Sequence, residues 1–367
     1  MNVDNSVLGQ SKHVLDTPAL LVDLDVLDAN IARMAATCHE AGVSWRPHIK
    51  GVKTPEIVRR ELAAGAIGVT CAKVGEAEVM AAAGVRDILI ANQVVGAHKV
   101  RRLLDLLDRS DVKVAVDCLA HVRELGEAAS ARGLALGVVI EVDTGMHRAG
   151  VQPGAPVLAL AQAIAAQPGL RFAGLMAWEA HVVAIADPAE KASAVAAAVG
   201  QLTASAQACR DAGLEVGIVS CGGTGSFPYC AHQPGVTEVQ AGGAIFSDVL
   251  YRRNFHFDSP QALTILMTVT SRPTPTRIIT DAGKKTMSSD AAVPEPIGLP
   301  PAKPMRLSAE HGSIELETPN DTPAVGDKIE VIVGYSDTTV HLHEHIVATR
   351  DGRIEAVWPV AARGRIL

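Results

Sequence analysis

The chain is 367 residues long, enough to bury one large core or two smaller ones. Hydrophobic residues make up 48% of it and charged residues 20%, which excludes a disordered chain. Lys+Arg 33 against Asp+Glu 40 leaves a net charge of -7, and the densest basic cluster is Lys99 with Arg101 and Arg102, which excludes a nucleic-acid binder.

In chain order, the opening stretch MNVDNSVLGQSKHV lacks the basic start and apolar run of a secretory leader, and no later stretch offers the roughly eighteen apolar residues of a spanning helix. The expectation is a cytoplasmic protein that does not engage a membrane. Residues 19–24 predict a strand, followed by a helix capped by Asp25 or Asp28 and ending near Cys38. From 44 to 242, short β-branched runs alternate with Ala-rich stretches of helical period. The runs are 44–49, 67–71, 87–91, 112–117, 136–142, 171–177, 216–221 and 236–240. Eight such runs predict a closed (β/α)8 barrel in preference to an open doubly wound sheet, which usually has about five or six strands. The strand at 19–24 is surplus to the barrel and is expected to pair into the second domain.

After residue 258 the character changes. Pro273, Pro275, Pro294, Pro296, Pro300, Pro301 and Pro304 punctuate strands expected at 262–271, 313–316, 328–333 and 339–349. Asp351-Gly352 between 346–348 and 353–357 is a hairpin turn. The predicted organisation is a barrel domain with its leading strand and helix over 15–257 and an all-β domain over 258–367. Cys38, Cys71, Cys118, Cys209, Cys221 and Cys230 contain no C-x-x-C pair, so they read as reduced, packed thiols.

Reactive groups of such a barrel lie at the C-terminal ends of its strands. The first strand ends in Arg46-Pro47-His48-Ile49-Lys50, the fifth in Glu141 to Arg148, the sixth in Trp178-Glu179-Ala180-His181, the seventh in Gly222 to Ser226, and the eighth in Ala241-Gly242-Gly243. Glycine turns after the last two strands are either tight turns or a phosphate cradle of backbone N–H groups. Lys50 either snorkels or pairs with a carboxylate, or, beside such a cradle, forms a Schiff base with a phosphorylated aldehyde such as pyridoxal 5'-phosphate. Arg148 is either a surface ion-pair member or a donor to that cofactor's ring oxygen.

These residues carry a resemblance. TPALLVDLDVLDANIARM, RPHIK, VTCAKVGEAE, SCGGTGS, EVQAGG, DAGKKTMSSD and RDGRIEAVWPVAARGR resemble the D-threonine aldolase and D-serine dehydratase group of pyridoxal-phosphate enzymes, which have the alanine-racemase type (fold type III) barrel. The resemblance runs from about Thr17 to Gly364. It implies Lys50 as the cofactor's lysine, with Thr224, Gly225, Gly242 and Gly243 around the phosphate. It also implies Gln240, Arg148 and Trp178 as further cofactor contacts, His48 and His181 beside Lys50 as catalytic groups, and a homodimer in which one subunit's β domain lines its partner's barrel mouth.

Three positions depart from the family pattern. Val52 stands where R-P-H-x-K-x-H-K has its second histidine, and Trp178 stands where a tyrosine is usual. Tyr335-Ser336-Asp337 replaces the metal motif H-x-C or H-x-D. A divalent metal on Asp337 and a neutral Tyr335 binds weakly, because imidazole is the stronger ligand and a phenol must lose a proton to compete. His341, His343 and His345 on one strand would share a face and form either a metal site or a polar, solvent- or dimer-facing strand.

The expected function is a pyridoxal-phosphate lyase acting on a D-configured β-hydroxy-α-amino acid, with retro-aldol cleavage ahead of D-serine or 3-hydroxyaspartate dehydration. His181, His48, Tyr335 or Asp337 would supply the proton transfer. An amino-acid racemase and a non-catalytic carrier of the cofactor are the alternatives. The C-terminal β domain argues against the carrier, and an absorption scan separates a phosphate-binding barrel without an aldehyde cofactor.

Overall fold

The computed structural model describes residues 5–367, so the first four residues of the stretch read for a leader lie outside the described residues. Among the described residues no helix is long and apolar enough to cross a membrane. The chain divides into two compact units. One comprises the residues up to Ala32, Gly51–Glu56 and Gly243–Arg363, and the other comprises Arg33–Lys50, Ile57–Gly242 and Gly364–Leu367.

The chain opens with β1 (Ala19–Asp23) and α1 (Leu24–Glu40). The helix cap is Asp23 and not Asp25 or Asp28: its Oδ1 accepts from the N–H groups of Asp25 and Val26 at 3.0 and 3.1 Å. Because the strand runs directly into the helix, the cap falls on the strand's last residue, and Asp25 pairs instead with Arg350.

The barrel elements follow in alternation. They are β2 (Ser44–Trp45), α2 (Pro55–Ala63), β3 (Val69–Cys71), α3 (Val74–Ala82), β4 (Asp87–Gln93), α4 (Ala97–Asp105), β5 (Asp111–Val116) and α5 (Leu119–Ala131), then β6 (Leu136–Val142), α6 (Ala155–Ala166), β7 (Leu170–Ala177), α7 (Pro188–Asp211), β8 (Ile218–Cys221), α8 (Phe227–Cys230) and β9 (Glu238–Val239). The eight strands pair in parallel in the order β2-β9-β8-β7-β6-β5-β4-β3. A bridge between His48 and Thr70, with Thr70 N–H donating to the Pro47 carbonyl at 2.8 Å, joins the first strand's extension to β3 and closes the barrel. The run expected at 44–49 is cut to two residues because Pro47 has no N–H for the ladder. Leu89, Ala115, Val139, Ala173 and Met176 pack together across four adjacent strands.

A charged seam sits in the same unit. Arg46, 2% exposed, donates to both Glu238 carboxylate oxygens (3.0 and 3.1 Å) and to Asp87 at 2.6 Å, and Lys113 adds 2.7 Å contacts to Asp87 and Asp111. A guanidinium this deep is tolerated only when its charge is fully paired, so the seam adds an electrostatic tie to the β2–β9 ladder and reaches β4, with which β2 shares no ladder.

The second unit holds α9 (Val249–Arg253) and the strands β10 (Leu263–Thr274), β11 (Arg277–Thr280), β12 (Glu295–Pro296), β13 (Arg306–Leu307), β14 (Gly312–Glu315), β15 (Lys328–Ile332), β16 (His345–Arg350) and β17 (Arg353–Pro359). The sheet order is β13-β14-β11-β10-β1-β16-β17, with β15 pairing β10 and β12. The surplus strand β1 therefore lies inside this sheet, antiparallel to β10 and parallel to β16. Asp351 and Gly352 take φ of 48° and 70°, which is the two-residue turn whose twist suits a hairpin.

The strand expected over 339–349 is a correction. Ser336 accepts from Thr339 and Val340, starting a turn that continues as the 3-10 helix Val340–Leu342, and the strand begins only at His345. His341, His343 and His345 therefore do not share a strand face. His343 lies 2.7 Å through Nε2 from the Thr286 carbonyl, and burial lowers its proton affinity.

Arg46→Ala would strand Glu238, itself 3% exposed, without a counter-charge. The expected cost is about 3–5 kcal/mol, read as a fall in the urea midpoint; an unchanged midpoint contradicts this account of the seam. Glu61 on α2 is fully buried, neither carboxylate oxygen has a hydrogen-bond partner among the described residues, and burial pushes its pKa up to about 8. The folded state then holds a proton that the unfolded chain releases above its ordinary carboxylate pKa. This group's stability contribution is present below that value and is lost as pH rises through the folded one. Glu61→Gln is expected to raise the thermal midpoint at about pH 8.5 and to leave it nearly unchanged at about pH 4; equal shifts at both would count against it.

Candidate active site

Beyond β2 the chain runs against the last barrel strand. His48 N–H donates to the Gln240 carbonyl at 3.0 Å, and the Trp45 indole donates to the Ala241 carbonyl at 2.8 Å. Gly242 is pressed so closely on this segment that a Cβ there would collide with the His48 carbonyl oxygen. Only glycine allows that approach. Ile49 is fully buried, and Lys50 follows it in a 3-10 turn (Ile49–Gly51) with an exposed side chain. The Lys50 N–H donates to His48 Nδ1 at 3.3 Å, which leaves the proton of a neutral imidazole on Nε2.

The turn after β8 is the second component. Gly222 adopts φ 78°, and the Trp178 ring lies where a Cβ on Gly223 would be. The N–H groups of Thr224, Gly225 and Gly242, all buried residues, make no hydrogen bond within the chain among the described residues. Buried amides are nearly always satisfied, so these donors fit a phosphate. Gln240 is held by an Nε2 bond to Ser220 Oγ at 2.8 Å.

Sequence reasoning passed over Glu179. It is fully buried and accepts from Ser226 Oγ at 2.5 Å, Cys230 Sγ at 3.3 Å and the Gly222 N–H at 3.4 Å. It thereby braces both ends of the glycine turn. Glu179, Cys221 and Cys230 bring their donor atoms within 4.8 Å of one another. The Cys230 thiol, however, donates to the carboxylate and is pushed well above its usual pKa by burial, so the group is a hydrogen-bonded brace. Its one sequence signal was a carboxylate directly after a barrel strand, between Trp178 and His181.

His181, exposed on the 3-10 turn Ala180–Val182, has its Nε2 2.9 Å from where a Cβ on Gly145 would be. Arg148 is half exposed and donates to Glu141 Oε1 at 3.3 Å, while Gln93 donates to Glu141 Oε2 at 2.6 Å. The Arg148 guanidinium thus rests on a buried carboxylate at the strand end.

Gly243, Tyr335 and Asp337 belong to the other unit. The Tyr335 hydroxyl donates to Asp337 Oδ2 at 2.7 Å, and burial, reinforced by Asp337, raises the phenol far above its ordinary pKa. A phenol that stays protonated and spends its proton on the neighbouring carboxylate does not fit a divalent metal. Val52, in place of the family's second histidine, is fully buried.

The family described as "Alanine racemase, N-terminal domain" matches residues 22–249, and the "Putative serine dehydratase domain" matches residues 262–349. The D-threonine aldolase of Arthrobacter sp is 37% identical over 354 residues, 95% of this chain and 93% of that protein. The crystal structure of D-threonine aldolase from Filomicrobium marinum has a TM-score of 0.94 at 37% identity, covering 98% of each chain. D-threo-3-hydroxyaspartate dehydratase from Delftia sp. HT23 has a TM-score of 0.85 at 29% identity, covering 95% of this chain and 98% of that one; a mutant of a D-threo-3-hydroxyaspartate dehydratase was solved in a metal-free form.

Glu179→Leu removes the acceptor shared by Ser226, Cys230 and Gly222. It is expected to weaken pyridoxal-phosphate binding by roughly tenfold, about 1.4 kcal/mol, in an absorbance titration, with Glu179→Gln closer to wild type. Equal affinities for all three proteins would remove the brace's role.

Proposed function

Because the chain belongs to the alanine-racemase-type family of pyridoxal-phosphate enzymes that carries a serine dehydratase domain, we propose that it is a lyase cleaving a D-configured β-hydroxy-α-amino acid by retro-aldol chemistry. One observation carries the reading: Lys50 ends the segment after β2, and glycine turns with unspent N–H donors follow β8 and β9. Lys50 would hold the cofactor's aldehyde carbon, and Thr224, Gly225 and Gly242 with Gly243 would hold its phosphate. Trp178, Gln240 and Arg148 would flank the ring. When bound, the cofactor supplies an electron sink for the bond broken at the substrate α-carbon.

The chain's own groups then divide the remaining work. His48, its Nδ1 occupied by the Lys50 N–H, offers a proton at Nε2. His181 is exposed on its turn, and its imidazole can carry a proton. Retro-aldol cleavage needs an acceptor for the β-hydroxyl proton, whereas dehydration needs a donor for the departing hydroxide. Tyr335 already donates to Asp337, so the pair presents an accepting carboxylate. Dehydration of D-serine or 3-hydroxyaspartate is the second reading, favoured by the serine dehydratase match over 262–349. We further read 15–257 as the cofactor domain, 258–367 as the β domain, and the active form as a cytoplasmic homodimer.

Incubation with D-threonine, D-serine and D-3-hydroxyaspartate is expected to give glycine plus an aldehyde from the first and third. Keto acid plus ammonia would move the assignment to the dehydratase reading, and neither product set would overturn the lyase. Lys50→Ala is expected to lose the holoenzyme's borohydride-sensitive absorption near the violet edge of the visible; a retained band would exclude Lys50 as the cofactor's lysine.

A further inference from the structure

Tyr335 is tied down on two sides within its unit. Its hydroxyl donates to Asp337 Oδ2 at 2.7 Å, and it receives a side-chain hydrogen bond from Tyr251, whose ring stands edge-on to it at 5.8 Å between centroids. The middle residue of the segment offers no substitute ligand. Ser336 is fully buried, with its N–H and its hydroxyl both donating to Asp248 Oδ2 at 2.7 and 2.8 Å. Asp248 in turn caps α9 through the Tyr251 N–H at 2.9 Å. Rotating any one of these groups toward a cation would break a bond made by another.

The ends of this hydrogen-bonded chain fall at informative places. The Tyr251 hydroxyl occupies the space a Cβ on Gly243 would need, and Asp337 Oδ1 occupies the space a Cβ on Gly51 would need. Gly243 begins the turn after the last barrel strand, and Gly51 is the residue after Lys50. Two glycines therefore make room for a tyrosine–tyrosine–carboxylate chain.

Building on the lyase reading, we propose that this chain works without a divalent ion at Tyr335-Ser336-Asp337, and that Tyr335 is a positioning residue that fixes the Asp337 carboxylate against Gly51 by a donated hydrogen bond. An ion holds a carboxylate in place by coordination, whereas the phenol does so with a neutral donor that needs no deprotonation.

The test uses the holoenzyme after dialysis against EDTA, with bound Mn2+ measured by equilibrium dialysis and the lyase rate followed with and without Mn2+. Wild type is expected to show no saturable Mn2+ binding and an unchanged rate. Tyr335→His is expected to gain saturable Mn2+ binding that a second change, Asp337→Asn, removes. Tyr335→Phe is expected to keep the cofactor's absorption and substrate KM while kcat falls by roughly tenfold, about 1.4 kcal/mol. Wild-type Mn2+ binding that Asp337→Asn abolishes, a rate lost to EDTA and restored by Mn2+, a Tyr335→His chain that binds none, or an unaltered kcat in Tyr335→Phe would each overturn the proposal. The binding measurements stand even if no lyase product is found, which would count against the function alone.

Discussion

The contact between Gly242 and the carbonyl of His48 is the constraint on which the C-terminal end of the barrel depends. With no Cβ between them, the turn after β9 lies directly on the segment that carries Lys50, and the same seam is fixed by the His48 N–H to Gln240 bond. Replacing that glycine would push the two backbones apart and displace a lysine and a set of N–H donors together. The packing of the last barrel turn and the placement of Lys50 are thus one packing problem.

Two carboxylates, one in each unit, accept from neutral side-chain donors. Glu179 takes Ser226 and Cys230, and Asp337 takes Tyr335. A neutral donor stabilises a carboxylate while leaving the local charge negative, whereas an arginine or a metal would cancel it. For Glu179 the neutral donors serve shape, because three of them converge on one buried acceptor beneath the glycine turn.

Much of the fold was legible because its signals are local. Eight β-branched runs, two late glycine turns and the Asp351-Gly352 hairpin each declare themselves within a few residues. Boundaries shifted where a single residue intervened: Pro47 truncated the first barrel strand, and the immediate passage from β1 to α1 moved the cap to Asp23. The histidines at 341, 343 and 345 misled because alternate spacing looks like a strand, while the turn that breaks it is started by Ser336 outside the pattern. Glu179 and the bonds holding Tyr335 depend on burial and on partners distant in sequence, which no periodicity encodes. Tyr335 could be recognised from residue chemistry as a poor ligand, but its use as a donor needed the geometry.

The position of β1 between β10 and β16 has a consequence for biogenesis. β1 finds its neighbours only after residues 263–274 and 345–350 have been synthesised. Until then Leu20, Leu21 and Val22, all buried in the finished sheet, lack the two strands that flank them there. A message cut short before the final hairpin would release a polypeptide with a greasy, half-paired edge, a natural substrate for chaperone capture or quality-control proteolysis.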